Sequence, residues 1–294
     1  MLRILFIGSL GIQSVETLKG LLASGQKVAV IALAGSTLGL PAAASWKRRY
    51  IPVIDGNAPN NIQHVAASEG IPIEILDPLD PGTRLRPHTP DIGVVSCFPH
   101  RLHENLLKLP AFGCYNLHPS LLPQYRGPTP LFWQLRQGET ETGVTLHKMC
   151  AGIDTGDIVA QQRLLIDDGI SELELGRRCA SSGVELVRLL LKNLPSGNLT
   201  LTCQDEQRAS YYGWPVEQAF QLSIDWTARR ISNFVRGTEH RGRPYHLRIG
   251  ADCFSIRAVE GCLQQPMREH DYRLEGGRIV FNCRDGSIRA RLTD

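Results

Sequence analysis

The sequence predicts an α/β protein: a mostly parallel sheet with helices on both faces, joined to a small β-rich C-terminal domain. Three observations carry that reading. Short continuous apolar runs alternate with helical patterns through the first two hundred residues, and strands buried on both faces of a parallel sheet read as such runs. After Pro195-Ser196-Gly197 the text turns polar and then into closely spaced alternating segments. The composition, 42% hydrophobic and 21% charged over 294 residues, is that of a globular chain long enough for two cores.

The elements follow in order. Leu2–Ile7 reads as a buried strand, Val15–Leu22 as an amphipathic helix and Val28–Leu33 as a second strand. Asn61–Ser68 has a helical pattern, Ile71–Leu76 that of a short strand and Asp91–Cys97 that of a strong one. Gly113–His118, Gly143–Met149 and Ile158–Leu165 continue the strands, and Leu173–Leu194 is a long helix. Beyond the polar stretch, Ala228–Val235 predicts a helix, then Tyr245–Ile249, Phe254–Val259, Ile279–Cys283 and Ile288–Leu292 predict strands. The last two flank Arg284-Asp285-Gly286-Ser287, whose Asp-Gly pair is a hairpin signal. Ligands of a parallel α/β sheet sit outside the carboxyl ends of its strands. Gly8-Ser9, Phe98 onward and Asn116-Leu117-His118 should therefore share one crevice.

Charge and cysteine usage exclude several classes. With 32 basic and 29 acidic residues the net charge is +3, so charge alone requires no polyanion partner. No apolar run approaches the ~18–20 residues of a membrane helix. The chain opens directly into Met1-Leu2-Arg3-Ile4-Leu5-Phe6, without the pattern of a secretory leader. Eight scattered cysteines form no C-x-x-C pair, which suits neither a structural zinc site nor a disulfide scaffold. A reducing, cytoplasmic setting is the expectation.

Chemistry concentrates between Cys114 and Asp157. Asn116 and His118 lie two apart on one strand, so they share a face, and Pro119 ends the strand just beyond them. Asp154 lies in the Gly-rich turn from Ala151 to Asp157. An amide, an imidazole and a carboxylate at adjacent strand ends suit acyl transfer: donors can hold a tetrahedral oxyanion while the carboxylate tunes the imidazole. There is no G-x-S-x-G elbow and no cysteine beside a catalytic-looking histidine, so direct transfer fits better than a covalent enzyme intermediate. Taken singly, Asn116 also suits a strand-end cap and Asp154-Thr155-Gly156-Asp157 an ordinary turn. Spacing alone leaves both readings open.

N-L-H-P-S-L-L-P-x-Y-R-G from Asn116, G-V-T-x-H-x-M from Gly143 and D-T-G-D-I from Asp154 closely resemble the signature of the folate-dependent formyltransferases. That family takes in enzymes acting on methionyl-tRNA, glycinamide ribonucleotide and amino sugars, and a formyltetrahydrofolate deformylase. The resemblance implies a Rossmann-like catalytic domain over residues 1–202, then a linker and OB-like barrel over 203–294. It implies transfer of the formyl group of 10-formyltetrahydrofolate to a primary amine, with no metal, and it makes Asn116, His118 and Asp154 the catalytic trio. Asn116 and protonated His118 would hold the oxyanion, with Asp154 tuning His118 and relaying a proton through water. Phe98, Pro99, His100, Arg101 and Leu102 would wall the folate pocket. The backbone of Cys150, Ala151, Gly152 and Ile153 would bind the pterin. Gly8, Ser9 and Leu10, with Ser120 and Arg126, would face the acceptor, and His147 reads as structural.

For the acceptor, a small-molecule amine is preferred over an aminoacyl-tRNA. The stretch after the first strand lacks the phosphate loop of the glycinamide ribonucleotide enzymes. Pro130–Leu135 and Glu141–Met149 are most similar to the amino-sugar enzymes. Lys47-Arg48-Arg49 lies where the tRNA enzymes place a basic loop, but their Arg- and Gly-rich sequence is missing. Thr238–Pro244 replaces an N-P-W-P-like stretch of the family, and residues 203–294 set 14 arginines against 12 acids. Two further functions fit the same motifs: a folate-binding paralogue without activity, and a hydrolase of the formyl donor.

Overall fold

The computed structural model describes residues 1–34, 61–76, 82–263 and 271–293, and the Lys47-Arg48-Arg49 loop lies outside the described residues. The chain divides into two units. The first comprises residues 1–130, 142–164 and 176–212. The second takes 131–141, 165–175 and 213–294. The second unit thus draws two segments from within the first two hundred residues.

The first unit is built on strands β1 (Arg3–Gly8), β2 (Lys27–Ala34), β3 (Ile73–Leu76), β4 (Ile92–Ser96), β5 (Cys114–His118), β6 (Glu141–Lys148) and β7 (Ile158–Leu165). They form one seven-stranded sheet in the order β3-β2-β1-β4-β5-β6-β7. The pairs from β3 to β5 are parallel, and β6 runs antiparallel to β5. Ile4, Leu5, Phe6, Ile7, Val30 and Ile31 are fully buried, which is why these runs carry no polar alternation. Strand order reverses between β1 and β4, the place where such sheets open a crevice.

Helix α1 (Ile12–Ala23) follows β1 through a tight turn. A Cβ on Gly8 would lie 2.2 Å from Ser14 Oγ, so only glycine fits there. The Ser9 amide donates to Ser14 Oγ at 2.9 Å. Helices α2 (Ile62–Ser68) and α3 (Glu104–Leu107) are short and side-chain capped, by Asn61 and His103 respectively. Helix α4 (Pro130–Gln137) falls where the sequence pattern predicts no element. The long helix α5 (Glu172–Asn193) buries Leu175, Cys179, Val187 and Leu190 and stops before Pro195, with Gly197 at φ +71°.

In the second unit, β8 (Gln221–Leu222), β9 (Tyr245–Ile249), β10 (Asp252–Leu263), β11 (Tyr272–Glu275), β12 (Arg278–Cys283) and β13 (Gly286–Leu292) make a mostly antiparallel sheet ordered β11-β12-β13-β10-β9-β8. Strand β10 is longer than Phe254–Val259 because the residues on either side also pair, Asp252 with Ile249 and Leu263 with Ser287. Helix α6 (Ala228–Thr238) buries Ile231, Phe234, Val235 and Thr238, spaced one helical face apart. Phe132 meets Phe220 and Phe234 at centroid distances of 5.3 and 5.4 Å. The Thr238 and Tyr245 hydroxyls lie 2.7 Å apart within this core. Such aromatic packing dominates the stability of a small core.

Candidate active site

Strand β5 ends in Asn116, half-buried, and His118, only 4% exposed. Asn116 stands opposite His147 on β6, and His118 opposite Thr145. The β6–β7 connection then returns Asp154 to the same place. The amide Nδ2 of Asn116 donates to Asp154 Oδ1 at 3.3 Å, and His118 Nδ1 lies 3.6 Å from Asp154 Oδ2. The Gly127 amide donates to the same Oδ2 at 2.9 Å. Residues 38 apart in sequence thus form one polar cluster.

The backbone is bent to achieve this. Asp154 has φ +54° and Tyr125 φ +60°, left-handed values that non-glycine residues adopt at a cost of order 1–3 kcal/mol. Gly127 sits at φ +112°, and a Cβ there would meet Tyr212 O at 2.0 Å. A Cβ on Gly156 would lie 1.7 Å from Lys148 O. These glycines let two loops close on the cluster, as the Asp-Thr-Gly-Asp and Tyr-Arg-Gly text requires.

Each histidine tautomer is set by its partners. Because a carbonyl can only accept, His118 Nε2–H donates to Tyr125 O, 2.8 Å away, leaving Nδ1 toward Asp154. His147 Nδ1 lies 3.3 Å from Lys148 O and donates there, so Nε2 accepts from Asn116 Nδ2 at 3.2 Å. His147 Nε2 is also 3.6 Å from Asp154 Oδ1. This histidine, structural by its sequence setting, orients the Asn116 carboxamide. Its partnership follows from the antiparallel register, which no local text announces.

Burial works to raise the Asp154 carboxyl, but His118, His147 and the Gly127 amide hold it well below the usual carboxylate range. Burial pushes the His118 imidazole below its ordinary value, against the pull of the Asp154 charge and the Tyr125 carbonyl. At neutral pH the resting pair is a carboxylate beside a neutral imidazole. Its Nδ1 lone pair can take a proton that Asp154 would stabilise.

The other expected residues fall in separate places. Phe98 and Leu102 pack against the core cluster around β1 and β4, and Phe98 meets His100 edge-on at 5.9 Å. Arg101 donates to Ala151 O, joining the 98–102 and 150–153 segments. Cys150 to Ile153 are exposed, and Cys150 Sγ lies 3.2 Å from Thr155 Oγ1. An open cavity of about 660 Å³, lined in part by Leu107, Tyr115, Met149, Cys150 and Ala151, borders that turn but not the trio. Gly8 ends β1 and Ser9 and Leu10 follow it, where Ser9 bonds to Ser14 and Gly11 rather than to the trio. Ser120 is fully buried and donates to Gln124 O. Arg126, 7% exposed, spends its guanidinium on Gln204 and Glu206. Among the described residues no group of three or more His, Cys, Asp or Glu side chains could hold a metal. No helix among them is long and apolar enough to cross a membrane.

The formyl transferase family model matches residues 3–190, a span that contains all three members of the trio. The chain belongs to the formyl transferase family. A methionyl-tRNA formyltransferase of Thermotoga maritima is 31% identical over 80% of this chain and 76% of its own. That of Nitrobacter hamburgensis is 30% identical over 98% of this chain and 90% of its own. Among solved structures, the sugar 3N-formyl transferase WlaRD, crystallised with dTDP and 5-N-formyl-THF, superposes with a TM-score of 0.67. It shares 20% identity, covering 100% of this chain and 98% of its own. A methionyl-tRNA formyltransferase from Clostridium thermocellum, 14% identical over the whole of both chains, gives 0.56. At these identities the superpositions speak for the formyl transferase fold alone.

Proposed function

We infer that this formyltransferase moves the formyl group of 10-formyltetrahydrofolate to a primary amine of a small molecule. One observation supports the chemistry above all: Asn116, His118 and Asp154 meet at the carboxyl end of β5 within the family-matched span. The folate donor is supported by structural neighbours solved with 5-N-formyl-THF and folinic acid. In this reading the amine attacks the formyl carbon. The Asn116 amide turns to the forming oxyanion, since its present bonds of 3.2 and 3.3 Å are long enough to be given up to substrate. The surplus proton of the attacking amine passes to His118 Nδ1, where Asp154 stabilises the imidazolium, and then to the departing donor nitrogen. The donor lies between Phe98–Leu102 and Cys150–Ile153, segments already joined by Arg101.

A small acceptor is favoured by the charge arrangement of the second unit. Arg278 and Arg291 are tied to Glu260, Arg273 and Arg289 to Glu275, Arg229 to Asp168 and Arg241 to Glu172. Carboxylates beside these arginines offset their positive field, and that weakens the pull on a polyphosphate backbone, an attraction that is steeply salt-dependent. Methionyl-tRNA is the second reading, favoured by relatives 30% identical over 98% of the chain. The test supplies 10-formyltetrahydrofolate with a panel of amino sugars and diamino acids, or with charged initiator tRNA. Faster formylation of a small amine, lost ~10²-fold on Asn116→Ala or His118→Ala, is expected. Efficient, initiator-selective formylation of the tRNA would transfer the assignment to the second reading. Formate release without any amine would point to hydrolysis.

A further inference from the structure

Outside the trio, one amide has all its hydrogen-bonding capacity committed to the loops that carry it. Gln204 Nε2 donates to Asp154 O at 2.8 Å and to Gly156 O at 2.7 Å. Its Oε1 accepts from Arg126 Nε at 3.1 Å and from Nη2 at 2.8 Å. The same guanidinium makes a two-pronged bond to Glu206, Nη1 at 2.9 Å and Nη2 at 2.7 Å. Arg126 lies between Tyr125, whose carbonyl holds His118, and Gly127, whose amide holds Asp154. The chain from 204 to 212 runs along this loop: Ser210 Oγ accepts from the Tyr125 amide, Ser210 O from Arg126, and Arg126 O from Tyr212. The rings of Tyr125 and Tyr212 stack at 5.3 Å.

We propose that Gln204 is a positioning residue for the transfer, fixing the strained Asp154 turn against the Tyr125–Gly127 loop so that the carboxylate faces His118. Two physical facts support this. Asp154 at φ +54° persists only if its surroundings hold it, and the Gln204 amide grips the carbonyls on both sides of Thr155. Gln204 also joins the Asp154 turn directly to the guanidinium of the facing loop, so a change at 204 alters the distance on which the His118–Asp154 pairing depends. The segment after α5 thereby belongs to the reaction centre. The proposal rests on the formyl-transfer reading.

The test compares Gln204→Glu, Gln204→Ala and Glu206→Gln in the full chain. Gln204→Glu keeps the acceptor oxygens for Arg126 but has no N–H for the turn, so it separates the two halves of the contact. Expected are a fall in kcat of tenfold or more in both Gln204 variants with KM for donor and acceptor within threefold, and a smaller fall in Glu206→Gln. The His118 ring signals, followed by NMR across pH, should titrate at a different pH in Gln204→Ala, which adds no charge, than in the native chain. The NMR titration reads the positioning even if formyl transfer is not the reaction. A native chain that transfers no formyl group to any amine or tRNA defeats the formyl reading, while the shifted His118 titration still supports the positioning. An unchanged titration together with native kcat overturns the proposal. Loss in Gln204→Ala but not in Gln204→Glu also overturns it, by assigning the effect to Arg126 alone. If both Gln204 variants fail to fold, native behaviour of Glu206→Gln in kcat and titration overturns it.

Discussion

Asp154→Asn is the sharpest perturbation of the cluster, because it removes one charge and almost no volume. The Asp154 side chain is only 12% exposed and stands 3.6 Å from His118 Nδ1. At an effective dielectric of about 20, two unit charges at that distance interact by 332/(20 × 3.6), or ~4.6 kcal/mol. Asparagine can still accept from the Gly127 amide through its oxygen, so part of the loop geometry survives. The loss therefore falls on the protonated form of His118, and about 4.6 kcal/mol, at ~1.36 kcal/mol per tenfold, corresponds to between three and four powers of ten in rate. The assay is steady-state formyl transfer from 10-formyltetrahydrofolate to the best acceptor between pH 5 and 9, with near-ultraviolet circular dichroism as a check on packing. A fall of ~10³- to 10⁴-fold in kcat/KM, with the histidine-dependent limb of the profile moved to lower pH, is expected. A variant within tenfold of the native rate and with an unmoved profile would refute a His118–Asp154 proton pair.

Three further outcomes follow from the same geometry. His147→Leu removes the acceptor that orients Asn116 Nδ2 and should lower kcat ~10-fold while leaving donor KM nearly unchanged, measured in the same assay. Stability should fall on acidification in two windows: His118, depressed from 6.5 by burial, loses its contribution as pH drops below 6.5 toward its folded value, and Asp154, depressed from 3.8, does so only below 3.8. Melting temperature against pH should show the first loss beginning near 6.5, reduced in His118→Gln. Thiol labelling of the native chain should modify exposed Cys97, Cys150, Cys253 and Cys262 quickly and exposed Cys203 more slowly, because the Asp157 carboxylate pushes its thiol up, while Cys114 and Cys179, buried and pushed up to about 12, react only on unfolding; saturating folate donor should protect Cys150 selectively.

What the sequence disclosed of this molecule tracks how local the determining physics is. Runs such as Ile4–Ile7 and Ile92–Val95 are apolar on both faces because both faces are covered, so the parallel sheet was legible from composition and spacing. Asn116 and His118 were legible because a strand repeats every two residues, and Asp154 because a Gly-flanked turn follows the next strand. The resemblance to the formyltransferases then joined the three, a step that periodicity could not take. Helix α4 was hidden because eight residues are barely two turns, too few for a helical period to show, and Phe132 and Leu135 pack against Phe220, Phe234 and Gly237, far along the chain.

The supports of the site were hidden for a related reason. Gln204 stands 50 residues from Asp154 and 78 from Arg126, in polar text that is indistinguishable from a solvated linker. A half-buried amide that uses both donors and its acceptor oxygen leaves no periodic trace, because two of its partners are backbone carbonyls that every residue possesses. The same holds for Tyr125, whose carbonyl rather than whose ring fixes the His118 tautomer. Side chains that touch substrate are constrained by type and appear as motifs, whereas side chains that hold backbone are constrained by position. Arg126 shows both sides of this: its Tyr-Arg-Gly setting suggests an acceptor contact, and its guanidinium, closed by Gln204 and Glu206, binds the loops together instead. An acceptor reaching this cluster therefore meets a carboxamide, an imidazole and a carboxylate already held in place, and its own charge must be recognised by other residues.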